Sequence, residues 1–278
     1  MHTPSKTSAA SLLQAATRNW LLPAALLLSL PTGPSARANG LVETFTYPDG
    51  NLTALSGGQW QFWEPGAGDA AIVGGAMRFQ GTTDVIRTFP AVLTAPGQTA
   101  TISFTINVNI ADSTEGYAMD FLPASAPFSG LGGTNYANQF SLGFDYQSRD
   151  ALGNPLPLDG FASIDIATGT GTGTAVTRLG SIMSENVAHL IRVDLVRGVA
   201  DTAYSLFMDG GLLNQGTFVL TDARGMNAVE LEQSGEQTPS ATAFATVDDL
   251  RIVPEPASAS LVIVGCASLL GFRRRSRR

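Results

Sequence analysis

The chain has 278 residues, 44% of them hydrophobic, and a formal net charge of −7. Basic residues gather at the two ends, so the stretch between them carries only eight, all arginine, against all 23 acids. A lysine-free acidic middle excludes a nucleic-acid binder, which needs clustered Lys/Arg on its folded part. The lone cysteine, Cys266, excludes a disulfide scaffold, and the one histidine of the middle, His189, excludes a His-rich zinc site.

Residues 1–38 read as a secretory signal peptide. Lys6 and Arg18 give a basic start, Trp20–Leu30 an apolar run, and Ala36 and Ala38 the small residues that a signal peptidase reads. Eleven apolar residues rise only about 16 Å as a helix, too short for a bilayer core of about 30 Å. The expected partners at this end are the Sec translocon and signal peptidase, with cleavage after Ala38.

Residues 39–253 are expected to form one β-rich domain. Ala100 to Ile110 is apolar at every even position and polar at every odd one, the pattern of a half-buried strand. Phe140–Tyr146, Ile191–Leu195 and Tyr204–Met208 repeat it. Asp209-Gly210-Gly211 then marks a hairpin into Leu213–Leu220. Shorter strands are predicted at Val42–Thr46, Gln59–Trp63, Ala76–Gln80, Asp84–Phe89, Tyr117–Leu122, Phe161–Ile166, Ala175–Leu179 and Met226–Glu232. The last is predicted at Ala243–Val253. Short strands with Gly/Pro-rich turns, and no internal repeat, argue for a sandwich.

The segment 254–278 has three parts. Pro254-Glu255-Pro256 is a rigid, non-helical entry. Ala257–Phe272 carries no charge and reads as a short transmembrane helix. Arg273, Arg274, Arg275, Arg277 and Arg278 form a stop signal that the positive-inside rule holds in the cytoplasm. This order of parts resembles the PEP-CTERM sorting signal of Gram-negative bacteria. The resemblance implies recognition by an exosortase-like membrane enzyme, processing near the motif and delivery to the cell surface or beyond. Exopolysaccharide is then the expected partner, in a biofilm context. Cys266 becomes an apolar filler of a removable tail.

The domain itself resembles the concanavalin A-like lectin/glucanase jelly roll, laminin-G-like domains included. The opening Glu43-Thr44-Phe45-Thr46-Tyr47, the Arg192–Gly210 hairpin and the closing Val247–Ile252 carry that likeness. The expected fold class is therefore all-β, an antiparallel β-sandwich flanked by the signal peptide and the C-terminal helix. The resemblance implies two antiparallel sheets, one concave, with sugar binding or a structural role.

Candidate chemistry is sparse. Glucanases of this fold carry a Glu-x-Asp-x-x-Glu strand, and the nearest segment, Glu230 to Glu236, lacks the central Asp. Glu230 and Glu232 share a strand face, read here as solvated and opposite Val229 and Leu231. His189 shares the phase of Ile191 and Val193 and is expected to point toward the core. Thr168–Thr174 is rich in glycine but lacks the lysine and following helix of a phosphate loop. Trp60 and Trp63 are the candidate glycan-binding residues, since aromatic faces stack on sugar rings. In a regular last strand Asp248 falls on the apolar phase, which is costly for a carboxylate unless it is paired or metal-bound. The jelly-roll resemblance implies a structural calcium tying first strand to last, with Glu43 and Asp248 as its oxygen ligands; the alternatives are a β-bulge that turns Asp248 outward or an arginine partner. The expectation is an exported, exosortase-processed, non-catalytic surface or matrix protein that binds glycan. The competing reading is a secreted polysaccharide hydrolase or lyase with a divergent carboxylate site.

Overall fold

Period-two alternation dictates the architecture, because successive side chains of a strand point to opposite faces. The computed structural model describes residues 40–63, 67–79, 82–109, 116–123, 138–145, 161–170, 174–234 and 244–255. Ala36, Ala38, Pro256 and the segment 257–278 with its terminal arginines lie outside the described residues. Among the described residues no helix is long and apolar enough to cross a membrane.

In chain order the strands are β1 (Leu41–Glu43), β2 (Gly50–Asn51), β3 (Gln61–Phe62), β4 (Ala71–Val73), β5 (Ala76–Arg78), β6 (Asp84–Val92), β7 (Thr99–Asn109) and β8 (Gly116–Leu122). They continue as β9 (Phe140–Asp145), β10 (Phe161–Gly169), β11 (Thr174–Ser184), β12 (His189–Arg197), β13 (Asp201–Met208), β14 (Gly211–Val219), β15 (Met226–Ser234) and β16 (Phe244–Pro254). One short helix, α1 (Leu52–Leu55), follows β2. The strands form two antiparallel sheets, so the protein is an all-β sandwich of the jelly-roll type. A nine-stranded sheet runs β14-β13-β12-β7-β16-β5-β4-β2, with β1 also on β16. A seven-stranded sheet runs β11-β10-β9-β8-β15-β6-β3.

The alternation of β7 is reproduced residue by residue: Ala100, Ile102, Phe104, Ile106 and Val108 are buried and their odd-numbered neighbours are half-buried. Phe104 of one sheet meets Phe144 of the other edge to face, ring centroids 6.1 Å apart. Phe140 stands against Tyr204 at 5.1 Å and Phe218 at 5.4 Å, so aromatic pairs join the two layers. Asp209 (φ 51°) and Gly210 (φ 83°) both take positive φ in the turn from β13 to β14, which is what a two-residue hairpin demands.

The last strand departs from regular alternation. Its register on β7 shifts between Asp248 and Arg251, and Asp249 sits at φ 51°. This bulge moves the apolar phase from Ala245 and Val247 to Leu250 and Ile252, all buried, and leaves Asp248 half-buried outside it. Beyond the bulge β1 pairs with β16, Glu43 opposite Leu250. First strand and last strand are thus joined by a backbone ladder.

That geometry corrects the expected calcium tie between Glu43 and Asp248. Glu43 is 5% exposed and its carboxylate is already occupied. Oε1 accepts the Phe45 N–H at 2.9 Å, and Oε2 accepts from the Trp60 indole N–H at 3.1 Å, the Tyr47 hydroxyl at 3.2 Å and the Arg87 guanidinium. Asp248 Oδ1 accepts the N–H of Asp249 at 2.7 Å. An arginine neutralises Glu43 where a cation was expected.

Candidate functional site: carboxylates on the seven-stranded sheet

The outer face of the seven-stranded sheet is built by the residues that alternate with its core set. On β15, Val229 and Leu231 enter the main core, which leaves Ala228, Glu230 and Glu232 on the opposite face. On β8, Tyr117, Met119 and Phe121 are core, so Asp120 and Leu122 turn outward. On β6, Val85 is core and Asp84 and Ile86 turn outward.

Register then lines these side chains up in rows across the strands. One row runs Gln61, Ile86, Glu230, Asp120, Ser141, Ala167. The next runs Asp84, Glu232, Ala118, Gly143, Asp165, Arg178. Ala118 and Gly143 put small residues between the acids and the Arg178–Asp165 ion pair, which closes at 3.3 Å. Ile86, Leu122 and Ala228 form a small apolar cluster on the same face, and half-buried Trp63 packs against it.

Carboxylate oxygens of Asp120, Glu230 and Glu232 all lie within 4.8 Å of one another. Asp120 is 4% exposed and Glu230 8%, while Glu232 is the most open of the three. Burial pushes the Asp120 carboxyl up to about 7, against a lowering hydrogen bond from Ser141 and raising charges on Glu232 and Asp84. Burial also drives Glu230 far above the carboxylate range, reinforced by Asp120, Asp84 and Glu232 and by a hydrogen bond to Asp84 that its neutral form makes. Oδ1 of Asp120 has no hydrogen-bond partner. At neutral pH the cluster therefore retains protons, and its chemistry is that of a carboxylic acid beside carboxylates. Three clustered oxygens are also a set able to hold a metal ion.

The predicted site residues fall in different places. Trp60 is fully buried, stacks on Phe45 at 6.0 Å and gives its indole N–H to Glu43, so its assignment as a sugar platform is corrected. Trp63 is on the acid-bearing face. Pro254 ends β16 opposite Ala100, and Glu255 gives its N–H to Thr99 O at 3.0 Å and accepts the Thr101 hydroxyl at 3.2 Å. His189 is buried, with Nδ1 2.7 Å from Asp209 Oδ2 and Nε2 3.3 Å from Ser184 O, a link between hairpins. Glu230 is not on a solvated face, which corrects that reading. Sequence reasoning missed Asp120 and Asp84 altogether. The signal for Asp120 was an acid set inside the apolar run Tyr117–Leu122.

No protein-family model and no curated protein matches this sequence. Solved structures share its fold. The alginate lyase Aly36B, in complex with an alginate trisaccharide, superposes with a TM-score of 0.53 at 11% identity, over 78% of this chain and 99% of that one. The carbohydrate recognition domain of Emp46p, in a potassium-bound form, gives 0.51 at 12% identity, over 76% and 95%. An endo-1,3-β-glucanase from Streptomyces sioyaensis gives 0.50 at 13%, over 81% and 99%. The expectation of a non-catalytic domain is corrected here: polysaccharide-cleaving enzymes stand among the proteins of this fold, beside a lectin-type domain.

Proposed function

We propose that this protein is an exported carbohydrate-active enzyme that cleaves polysaccharide with the carboxylates of its seven-stranded sheet. One observation carries the reading: Asp120, Glu230 and Glu232 converge within 4.8 Å, and burial holds protons on the first two. Glu230 is the proton donor in this scheme, because its raised pKa keeps a proton available at neutral pH for a departing sugar oxygen. Glu232, two residues along the same strand face and more open to solvent, supplies the charged carboxylate. Asp120 stands directly across from Glu230, and once Asp120 loses its proton its charge raises the Glu230 carboxyl further. Trp63 offers an apolar ring beside the acids for a sugar to stack on.

The sequence supports the setting. A signal peptide at 1–38 and a PEP-CTERM-like segment at 254–278 fit Sec-dependent export, exosortase-type processing and delivery to an exopolysaccharide-rich surface. The test is release of new reducing ends from a polysaccharide panel by the purified full chain. Glu230→Gln is expected to cut turnover by about 10²–10⁴-fold, the usual weight of a general acid, with circular dichroism unchanged. Equal turnover in the variant, or an inert parent chain, overturns the proposal.

A further inference from the structure

β11 is the edge of the seven-stranded sheet and β12 belongs to the nine-stranded one, so residues 185–188 carry the chain from layer to layer. His189 opens β12 at the end of that connection and is buried, 7% exposed. From the geometry of its ring we infer that His189 is a pH-sensitive clasp between the two sheets. With both ring nitrogens protonated it ties the end of β11 to the turn between β13 and β14. When rising pH takes the Nε2 proton, the end of β11 is released. The clasp is separate from the carboxylates of the seven-stranded sheet and does not depend on their chemistry.

The ring stands between two acceptors. Nδ1 is 2.7 Å from Oδ2 of Asp209, and Nε2 is 3.3 Å from the carbonyl oxygen of Ser184, the last residue of β11. A carbonyl oxygen and an ionised carboxylate can only accept. Both bonds therefore form together only when both nitrogens carry protons, as in the imidazolium. Asp209 is fixed in place to meet it. Its N–H goes to Leu190 O at 2.9 Å, and its Oδ1 accepts the Leu190 N–H at 2.9 Å. The hydrogen bond to the ring, then that N–H, hold the Asp209 carboxyl below the usual carboxylate range, against a small effect of burial. The acid half of the clasp thus stays ionised until pH falls through that lowered value.

The two bonds do not fail together. A neutral ring keeps one proton, and the charged acceptor holds it on Nδ1, the shorter contact. Nε2 then turns a lone pair toward the Ser184 oxygen, and that bond is lost. The connection keeps the Asn186 N–H on Val108 O at 2.8 Å, with Asn186 at φ 57°, a region that few L-residues occupy. The other elements around the ring supply no second charged partner. β7 sets apolar Ile106 opposite His189. On β12 itself Arg192 and Asp194 alternate with the buried set, turn to the opposite face and pair with each other at 3.2 Å. Glu185, in the connection, is half-buried. Among the described residues Asp209 is the charged group that the ring binds.

The experiment uses the purified full chain carrying His2→Gln, which leaves His189 as its single histidine. Long-range proton–nitrogen correlation spectra read the protons on both ring nitrogens from pH about 4 to about 9. Amide exchange, corrected for intrinsic rate, is read over the same range in peptides spanning residues 184–190. The expected result is a doubly protonated ring on the acid side, loss of the Nε2 proton as pH rises, and a rise in exchange at that same pH. The rise should be about tenfold, which is what one lost hydrogen bond from a charged donor allows. Asp209→Asn discriminates a clasp from a merely structural contact. Its carboxamide oxygen still accepts from Leu190, and its amide N–H donates to Nδ1. A neutral ring can then keep Nε2–H on Ser184 O, so the step in exchange should vanish. A ring with one proton throughout, a parent chain without the step, or the same step in Asp209→Asn overturns the clasp. A variant that fails to fold leaves the decision to the parent chain, where exchange that ignores the titration of the ring overturns it equally.

Discussion

Asp120 and Glu230 show how far a residue's chemistry is set by what it is packed among. Both are ordinary carboxylic acids in the unfolded chain and lose their protons near pH 4. Folded, Asp120 keeps its proton to about 7, and Glu230 keeps its own still higher. Between the unfolded and folded values the native state binds more protons than the unfolded state, so stability falls as pH rises through that window. Wild type should thus lose melting temperature steadily from pH about 4 to about 8. Asp120→Asn, which cannot ionise, should be more stable than wild type at the upper end and close to it at the lower end. Parallel melting curves for the two proteins across this range would show that Asp120 titrates normally.

At the scale of elements, the strands that alternate cleanly were legible and the irregular ones were not. Ala100–Asn109, Ile191–Leu195 and Tyr204–Met208 appear in β7, β12 and β13 with their expected apolar faces, because alternation and burial are the same fact seen twice, while Ile110 lies outside the described residues. β2, β4 and α1 were not anticipated: two, three and four residues carry too little period to read. The last strand was legible in extent but not in phase. A regular strand puts Asp248 on the apolar side, and that misplaced acid left a bulge, a metal or an arginine partner open, a choice that the register on β7 makes. The acid cluster was half legible for a related reason. Glu230 and Glu232 share a face by spacing, but their meeting with Asp120 depends on register between β15 and β8, which no local pattern encodes. The bulge is testable on its own. Asp249 has φ 51°, a region that costs an L-residue about 1–2 kcal/mol and is worst for a branched one. Asp249→Gly should match or exceed wild-type stability in denaturant. Asp249→Val should lose about 1–2 kcal/mol. Equal loss in both would move the cause to the Arg251 pairing at 3.3 Å.

At the scale of the whole molecule, the proposed sorting motif and the fold share residues. Pro254 is the final position of β16, and Glu255 is tied to β7 through Thr99 and Thr101. The charge-free run begins at Ala257, so the sandwich and the proposed membrane segment are separated by almost no chain. A cut before Pro254 would strip a strand end from the nine-stranded sheet, whereas a cut beyond Glu255 leaves the ladder whole. The proposed export route therefore makes a definite statement about mass. The mature protein should begin after Ala38, end at or beyond Glu255, and be found outside the inner membrane. On that route, removing Arg273–Arg278 should weaken the proposed cytoplasmic stop and leave the C-terminal segment unprocessed, because the five arginines of the tail would no longer hold that end. Mass spectrometry of fractionated cells decides the matter. An intact chain in the cytosol, final arginines attached, would remove the export route and leave the carboxylate face to be explained inside the cell.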